Sequence, residues 1–116
     1  MSFKRFQYTF VNTLPFAEQQ AAYERYIVPE SRHVPREALT AGIDFKKPHP
    51  PLLLIAGSAD HIIPVSLIKS NYAKYNASPS IVEFKEFAGR THFIIGQKNW
   101  EEVADYTLNW LNEKGI

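Results

Sequence analysis

The chain has 116 residues, a length that suits one domain, and its 45% hydrophobic and 22% charged residues are typical of a globular protein rather than a disordered one. Its 13 basic and 12 acidic side chains leave a net charge of only +1, which excludes the basic footprint of a nucleic-acid-binding protein. The absence of cysteine excludes disulfides, iron–sulfur clusters, thiolate zinc sites and cysteine nucleophiles.

The sequence contains no segment with the pattern of a membrane-crossing helix or an export signal. No apolar run approaches the ~20 residues that a transmembrane helix needs. The start of the chain lacks the apolar stretch and the small-residue cleavage site of a signal peptide. Together with the absence of cysteine, this pattern predicts a cytoplasmic protein whose partners include neither a membrane nor a nucleic acid.

The first part of the chain, residues 1–47, is predicted to be mainly helical. Apolar and aromatic side chains at helical spacing predict a helix over residues 16–27, beginning near Pro15 and ended by Pro29. One more helical turn is expected over residues 35–39. The aromatic-rich start of the chain alternates with polar residues, so both a strand and a helix remain open for it.

The second part, residues 48–116, follows a proline-rich run and has a sharper pattern. The continuous apolar run at residues 52–56 predicts a strand buried on both faces, as in a parallel sheet. A helix is expected over residues 66–75 and a second short strand over residues 81–84. A strand, a helix and a strand in this order predict an α/β fold with parallel strands.

A last helix is predicted near the end of the chain. Asn99, with Glu102 three residues later, resembles a capping box at its beginning. Trp100 and Trp110 are expected to be core residues of this helix, and Gly115 is well placed to end it.

Two chemically useful side chains follow the two predicted strands. Asp60 comes just after the first strand, and His92 lies in the loop after the second. Because functional residues gather at the carboxyl ends of parallel strands, we expect these side chains to meet at one edge of the sheet. A carboxylate that accepts a hydrogen bond from one imidazole nitrogen leaves the other nitrogen free to act as a general base.

The two loops also resemble a known family. The string PPLLLIAGSADHIIP is similar to the strand and acid loop of the α/β-hydrolase superfamily, with Gly57, Asp60 and Pro64 in matching order. The string EFKEFAGRTHFIIG resembles the family's histidine loop through Gly89 and His92. The resemblance implies that residues 48–116 are the C-terminal portion of an α/β-hydrolase core. Residues 1–47 then correspond to a helical, lid-like segment.

This resemblance implies a truncated three-layer α/β arrangement in which a short parallel sheet has flanking helices. It assigns Asp60 as the acid and His92 as the base of a serine-type catalytic triad for ester or acyl hydrolysis. The family's Gly-x-Ser-x-Gly nucleophile elbow and Gly-rich oxyanion loop are both absent from this sequence. The serines downstream of the chain start lack the context of an elbow; they are Ser31, Ser58, Ser66, Ser70, Ser78 and Ser80.

The expected function is therefore that of the C-terminal portion of a serine-type hydrolase, inactive alone, with a small ester-like substrate in the intact family member and no cofactor. The alternative is a non-catalytic binding or assembly module of the same fold. In both cases we expect self-association, or pairing with a missing N-terminal half, to cover the open side of the first strand and the apolar stripe around Tyr23.

A metal site formed by His49, Asp60, His61 and His92 is a weaker alternative. The spacing of these four residues matches none of the familiar zinc patterns. The prediction is therefore that the chain holds no metal.

Overall fold

The computed structural model describes residues 1–29 and 42–116. Their elements in chain order are α1 (Phe3–Thr9), α2 (Phe16–Tyr26), β1 (Leu52–Gly57), α3 (Val65–Tyr75), β2 (Val82–Phe87) and α4 (Glu101–Lys114). The helical turn predicted over residues 35–39 lies outside the described residues. The mixed α/β class predicted from the sequence is confirmed, because the helices accompany a parallel sheet of two strands.

The N-terminal residues, for which the sequence left strand and helix open, form a helix. Ser2 begins α1 because its Oγ accepts a hydrogen bond from the backbone N–H of Arg5 at 3.4 Å. The helices α1 and α2 enclose a small core of Phe6, Val11 and Ala22. Phe93, which follows β2, packs against the same core and connects the two parts of the chain.

The two strands run parallel, as the sequence predicted, and pair in register from Leu52 opposite Val82 to Gly57 opposite Phe87. The expectation that β1 is buried on both faces is wrong for its first four residues, which are only half-buried. The reason is that, within the described residues, β1 has a strand neighbour on one side only. An apolar run shows that a strand can be buried but not how many neighbours bury it.

Alternate residues of β2 face different helices, because successive side chains of a strand point to opposite sides. Phe84 lies 6.0 Å from the ring of Tyr72 on α3. On the other side, Phe87 packs edge-on against Tyr106 of α4 with 5.6 Å between ring centroids. The helices α3 and α4 therefore contact opposite faces of this strand.

The last helix differs from the prediction at its beginning and agrees with it at its end. Asn99 does not cap α4: it has a φ of 61°, and the helix begins after Trp100. Glu102 pairs instead with Arg90 at 2.6 Å. Trp100 is 47% exposed, so the expectation that it lies in the core is wrong. Gly115 ends the helix in a left-handed conformation with a φ of 72°.

Two residues of α4, Val103 and Trp110, are buried against the sheet. Within residues 1–29 and 42–116, none of the helices has the length and hydrophobicity needed to cross a membrane.

Candidate functional site

The loops after β1 and β2 lie directly against each other. The backbone N–H of Ala59 donates to the carbonyl oxygen of Arg90 at 2.9 Å, and the N–H of Gly89 donates to the Oγ of Ser58 at 2.8 Å. A Cβ atom at Gly57 would overlap the Arg90 carbonyl, so this close approach requires glycine at the end of β1. The loops that carry Asp60 and His92 are thus joined by main-chain contacts.

Asp60 and His92 meet at this edge of the sheet. The Nδ1 of His92 lies 2.9 Å from the Oδ2 of Asp60. The other carboxylate oxygen of Asp60 accepts hydrogen bonds from the backbone N–H groups of Ile62 and Ile63 at 2.7 and 2.9 Å. The side chain of Asp60 is 11% exposed and that of His92 is 27% exposed, so the acid is more deeply placed than the base.

The surroundings of Asp60 keep it ionised at neutral pH. Burial by itself raises the pKa of this carboxyl, but the hydrogen bonds from Ile63, His92 and Ile62 outweigh burial and lower the pKa below its ordinary value. An ionised carboxylate can only accept a hydrogen bond, so the Nδ1 of His92 must carry the proton. The Nε2 of His92 is then the ring nitrogen that can accept a proton in a reaction.

The other two histidines of the alternative metal site lie elsewhere. The Nδ1 of His61 donates to the backbone oxygen of Tyr8 at 2.8 Å, and its ring packs against the Tyr8 ring. His49 packs against Tyr75, with 5.3 Å between ring centroids. The alternative metal site is not assembled, since the described residues contain no group of three or more potential ligands.

Within residues 1–29 and 42–116, no hydroxyl group forms a hydrogen bond with His92. The Oγ of Ser58 accepts from Gly89, and the hydroxyl of Thr91 lies 3.1 Å from the side-chain oxygen of Gln97. Ser31 lies outside the described residues. The described site thus combines an acid with a base, without a hydroxyl nucleophile bonded to the base.

A segment from the start of the chain crosses this site, and no sequence pattern predicts this crossing. We call residues 8–13 the bridging segment. Phe10 packs edge-on against the His92 ring, and its carbonyl oxygen accepts from the N–H of Phe93 at 3.1 Å. The side chain of Asn12 donates to the carbonyl oxygen of Ala59 at 3.1 Å. These contacts join residues that are 47 or more positions apart, so no local pattern could predict them.

The structural role of Arg90 is likewise not predicted by the sequence. Its guanidinium is buried and donates to the carbonyl oxygens of Lys98 and Asn99, both at 2.7 Å, and to the carboxylate of Glu102. These bonds hold the chain between His92 and α4, since three partners satisfy one buried cation. A buried arginine in a polar string such as Gly-Arg-Thr-His has no signal that separates it from an exposed one.

No family model, curated protein or solved structure matches the chain. The family resemblance therefore depends on the residues of the two loops, Gly57, Asp60, Pro64, Gly89 and His92.

Proposed function

We propose that this chain supplies the acid and the base of an α/β-hydrolase-type site for ester or acyl hydrolysis. The observation that carries the proposal is the 2.9 Å contact between His92 Nδ1 and the ionised Asp60. In the reaction, Nε2 of His92 takes the proton of a hydroxyl nucleophile while the oxygen of that hydroxyl bonds to the acyl carbon of the ester. His92 then returns that proton to the leaving alcohol as the C–O bond of the ester breaks. Water releases the acyl group from the nucleophile through the same two proton transfers, and Asp60 stabilises the imidazolium each time it forms.

Several features of the fold support this role. The pair lies where two parallel strands end, which is the usual place for active sites in α/β proteins. The contacts of α3 and α4 with opposite faces of β2 support a three-layer arrangement of the hydrolase kind. In this proposal residues 48–116 are the C-terminal portion of the core, and residues 1–47 are the lid-like segment beside it.

An apolar cavity beside the pair offers a place for the substrate. Its volume is about 360 Å³, within the usual range of ligand pockets. Its lining includes Phe10, whose ring packs against that of His92, together with Phe93, Tyr26 and Ile27. A cavity with aromatic and aliphatic walls suits an apolar acyl or alkyl group of an ester.

The nucleophile, in this proposal, comes from a partner polypeptide and not from this 116-residue chain. The open side of β1 offers a docking place, since the pairing register points the N–H and C=O groups of Leu53 and Ile55 away from β2. Beside it, Ile55 and α4 enclose an apolar groove of about 570 Å³. The same groove also suits the second candidate function, a non-catalytic assembly module, because it would bind a partner chain whether or not that chain carries a nucleophile.

The test is to isolate the tagged chain together with its bound partners and to treat the complex with a fluorophosphonate probe and p-nitrophenyl acetate. We expect the probe to label a serine on a partner segment. His92→Ala should lower ester turnover by about 10⁶-fold and Asp60→Asn by about 10⁴-fold, as in serine hydrolases. His49→Ala is the matched control, since His49 packs against Tyr75 away from the pair, and it should leave turnover unchanged.

Two results would contradict the proposal. One is turnover that His92→Ala and His49→Ala affect equally. The other is labelling of a serine within the 116-residue chain itself, which would place the nucleophile here. A complex that forms with both variants and never hydrolyses the ester would instead support the assembly module.

A further inference from the structure

We propose that Phe10 is the positioning residue of His92, holding the imidazole in the orientation in which Nδ1 meets Asp60. The inference rests on the proposed role of the Asp60–His92 pair and adds a residue from a distant part of the chain to it. The bridging segment, which contains Phe10, also fixes the acid loop, so that a single stretch of chain aligns both Asp60 and His92.

The first argument is the contact between the rings. The centroids of Phe10 and His92 are 4.7 Å apart and the ring planes meet at 83°, the edge-to-face geometry that aromatic pairs prefer. A single hydrogen bond from Nδ1 to Asp60 leaves the imidazole free to pivot about that bond. A second contact on the side of the ring removes this freedom.

The second argument is that the main chain of Phe10 fixes the backbone of the histidine loop. Its carbonyl oxygen accepts a hydrogen bond from the N–H of Phe93 at 3.1 Å, and the hydroxyl of Thr91 lies 3.2 Å from the same N–H. His92 lies between these two neighbours. Its backbone is therefore held on both sides while Phe10 holds its ring.

The third argument is that Phe10 is itself held in place. Its ring stacks on Phe6 with 5.3 Å between centroids, and its N–H donates to the carbonyl oxygen of Phe6 at 2.9 Å. Phe6 and the neighbouring Val11 are at most 2% exposed. A ring fixed by a packed core can position a partner, whereas a ring on a loose loop cannot.

The bridging segment also holds the acid loop in place through hydrogen bonds. The side chain of Asn12 donates to the carbonyl oxygen of Ala59, next to Asp60, and the carbonyl oxygen of Tyr8 accepts from His61 on the other side. Acid and base are therefore aligned from a common support. Such alignment matters because small displacements of reacting groups can cost orders of magnitude in rate.

The experiment measures the Nδ1 proton of His92 by NMR in the 116-residue chain, without any assay of activity. In Phe10→Leu we expect this proton to exchange with water roughly threefold to tenfold faster, the factor that corresponds to one aromatic pair. Phe10→Tyr keeps the ring and should restore the slow exchange. Phe16→Leu is the matched control, since Phe16 is 64% exposed and its described ring contact is with Phe3.

Unchanged exchange in a folded Phe10→Leu variant would overturn the inference. If that variant fails to fold, nuclear Overhauser effects between the Phe10 and His92 rings of the unmodified chain decide: their presence supports the inference and their absence overturns it. Asp60→Ala, which removes the acceptor oxygens, separates the two proposals. If this change leaves the proton protected, the Asp60–His92 pair itself is wrong, whatever the Phe10 variants show.

Discussion

Asp60 combines a nearly buried position with four electrostatic and hydrogen-bonding interactions that favour its charge. Its pKa in the folded chain lies below the ordinary 3.8, so the ionised form stabilises the fold. This stabilisation is fully present above the pKa of the unfolded chain. It is lost as the pH falls through the lower pKa of the folded chain.

We therefore expect Asp60→Asn to lower the free energy of unfolding by about 1–3 kcal/mol at pH 7, the usual effect of losing hydrogen bonds to a charged group. The difference from the unmodified chain should shrink as the pH falls below the ordinary pKa of 3.8 and through the lower pKa of the folded carboxyl. Urea denaturation followed by circular dichroism at pH 7, 5 and 3 measures it. Asp105→Asn, at an exposed position on α4, is the control. An equal loss at every pH would contradict the prediction.

Gly57 is the second residue whose replacement has a definite expected result. A methyl group there would meet the main chain of Arg90 and push the acid and histidine loops apart. We expect Gly57→Ala to lower the free energy of unfolding by about 1–3 kcal/mol, as overpacking usually does. Gly42→Ala adds the same methyl group where no atom lies within 4 Å, and should change stability by less than about 0.5 kcal/mol. Equal effects of the two changes would show that the loops do not touch.

The helix α4 is held on β2 by a polar contact at its buried face. The indole N–H of Trp110 donates to one carboxylate oxygen of Glu83 at 2.9 Å, and Lys114 lies 2.5 Å from the other. The hydrogen bond from Lys114 lowers the pKa of Glu83, burial opposes it, and Trp110 adds to the lowering. The hydrogen bond from the indole N–H of Trp110 to Glu83 therefore fixes the orientation of α4 on β2.

We expect Trp110→Phe to lower the free energy of unfolding by about 1–3 kcal/mol, because it removes volume from the core and leaves Glu83 with one donor fewer. Trp100→Phe is the matched control. Trp100 is 47% exposed and its replacement should cost less than about 0.5 kcal/mol. Thermal unfolding followed at 222 nm compares the two variants without relying on tryptophan fluorescence. A greater loss from Trp100→Phe would contradict the arrangement of α4.

The sequence predicted the elements whose pattern is local. The helix at residues 16–27, the strand after the prolines and the end of α4 at Gly115 all follow from spacing, and each differs from the structure by at most two residues at its ends. The predicted capping box does not form, because Glu102 has a stronger partner in the buried Arg90, twelve residues earlier. A tertiary ion pair replaced a local hydrogen bond that the sequence favoured.

The candidate site divides in the same way. Its two main residues follow from their positions after parallel strands, and Asp60 lies 2.9 Å from His92 as that placement predicts. The bridging segment could not be predicted, because Phe10 meets His92 across most of the chain. Aromatic residues near a chain start are equally compatible with a core, a strand or a partner contact.

The molecule as a whole keeps an apolar surface open. Ile95 and Leu108, beside the groove next to β1, are 77% and 56% exposed, and the strand edge there carries backbone groups without a partner strand in the described chain. Sheets of two strands are marginally stable alone, and exposed edges pair with other chains. The surface and the edge together favour association.

We expect the mass measured by light scattering to rise with protein concentration, and Leu108→Lys to reduce that rise by placing a charge in the groove. Leu67→Lys is the matched control, since Leu67 is a leucine on α3 with 46% exposure and does not line the groove. A monomer at every concentration would contradict the prediction. So would an equal effect of the two lysine variants.

The placement of Phe93 in the N-terminal core has a consequence for synthesis on the ribosome. The cluster of Phe6, Val11 and Ala22 leaves the ribosome early, but Phe93 completes it only after most of the chain has been made. During that interval the nascent chain presents aromatic surface that has no cover, which is the condition under which chaperones bind. Translation pauses before residue 93 should therefore lengthen chaperone occupancy.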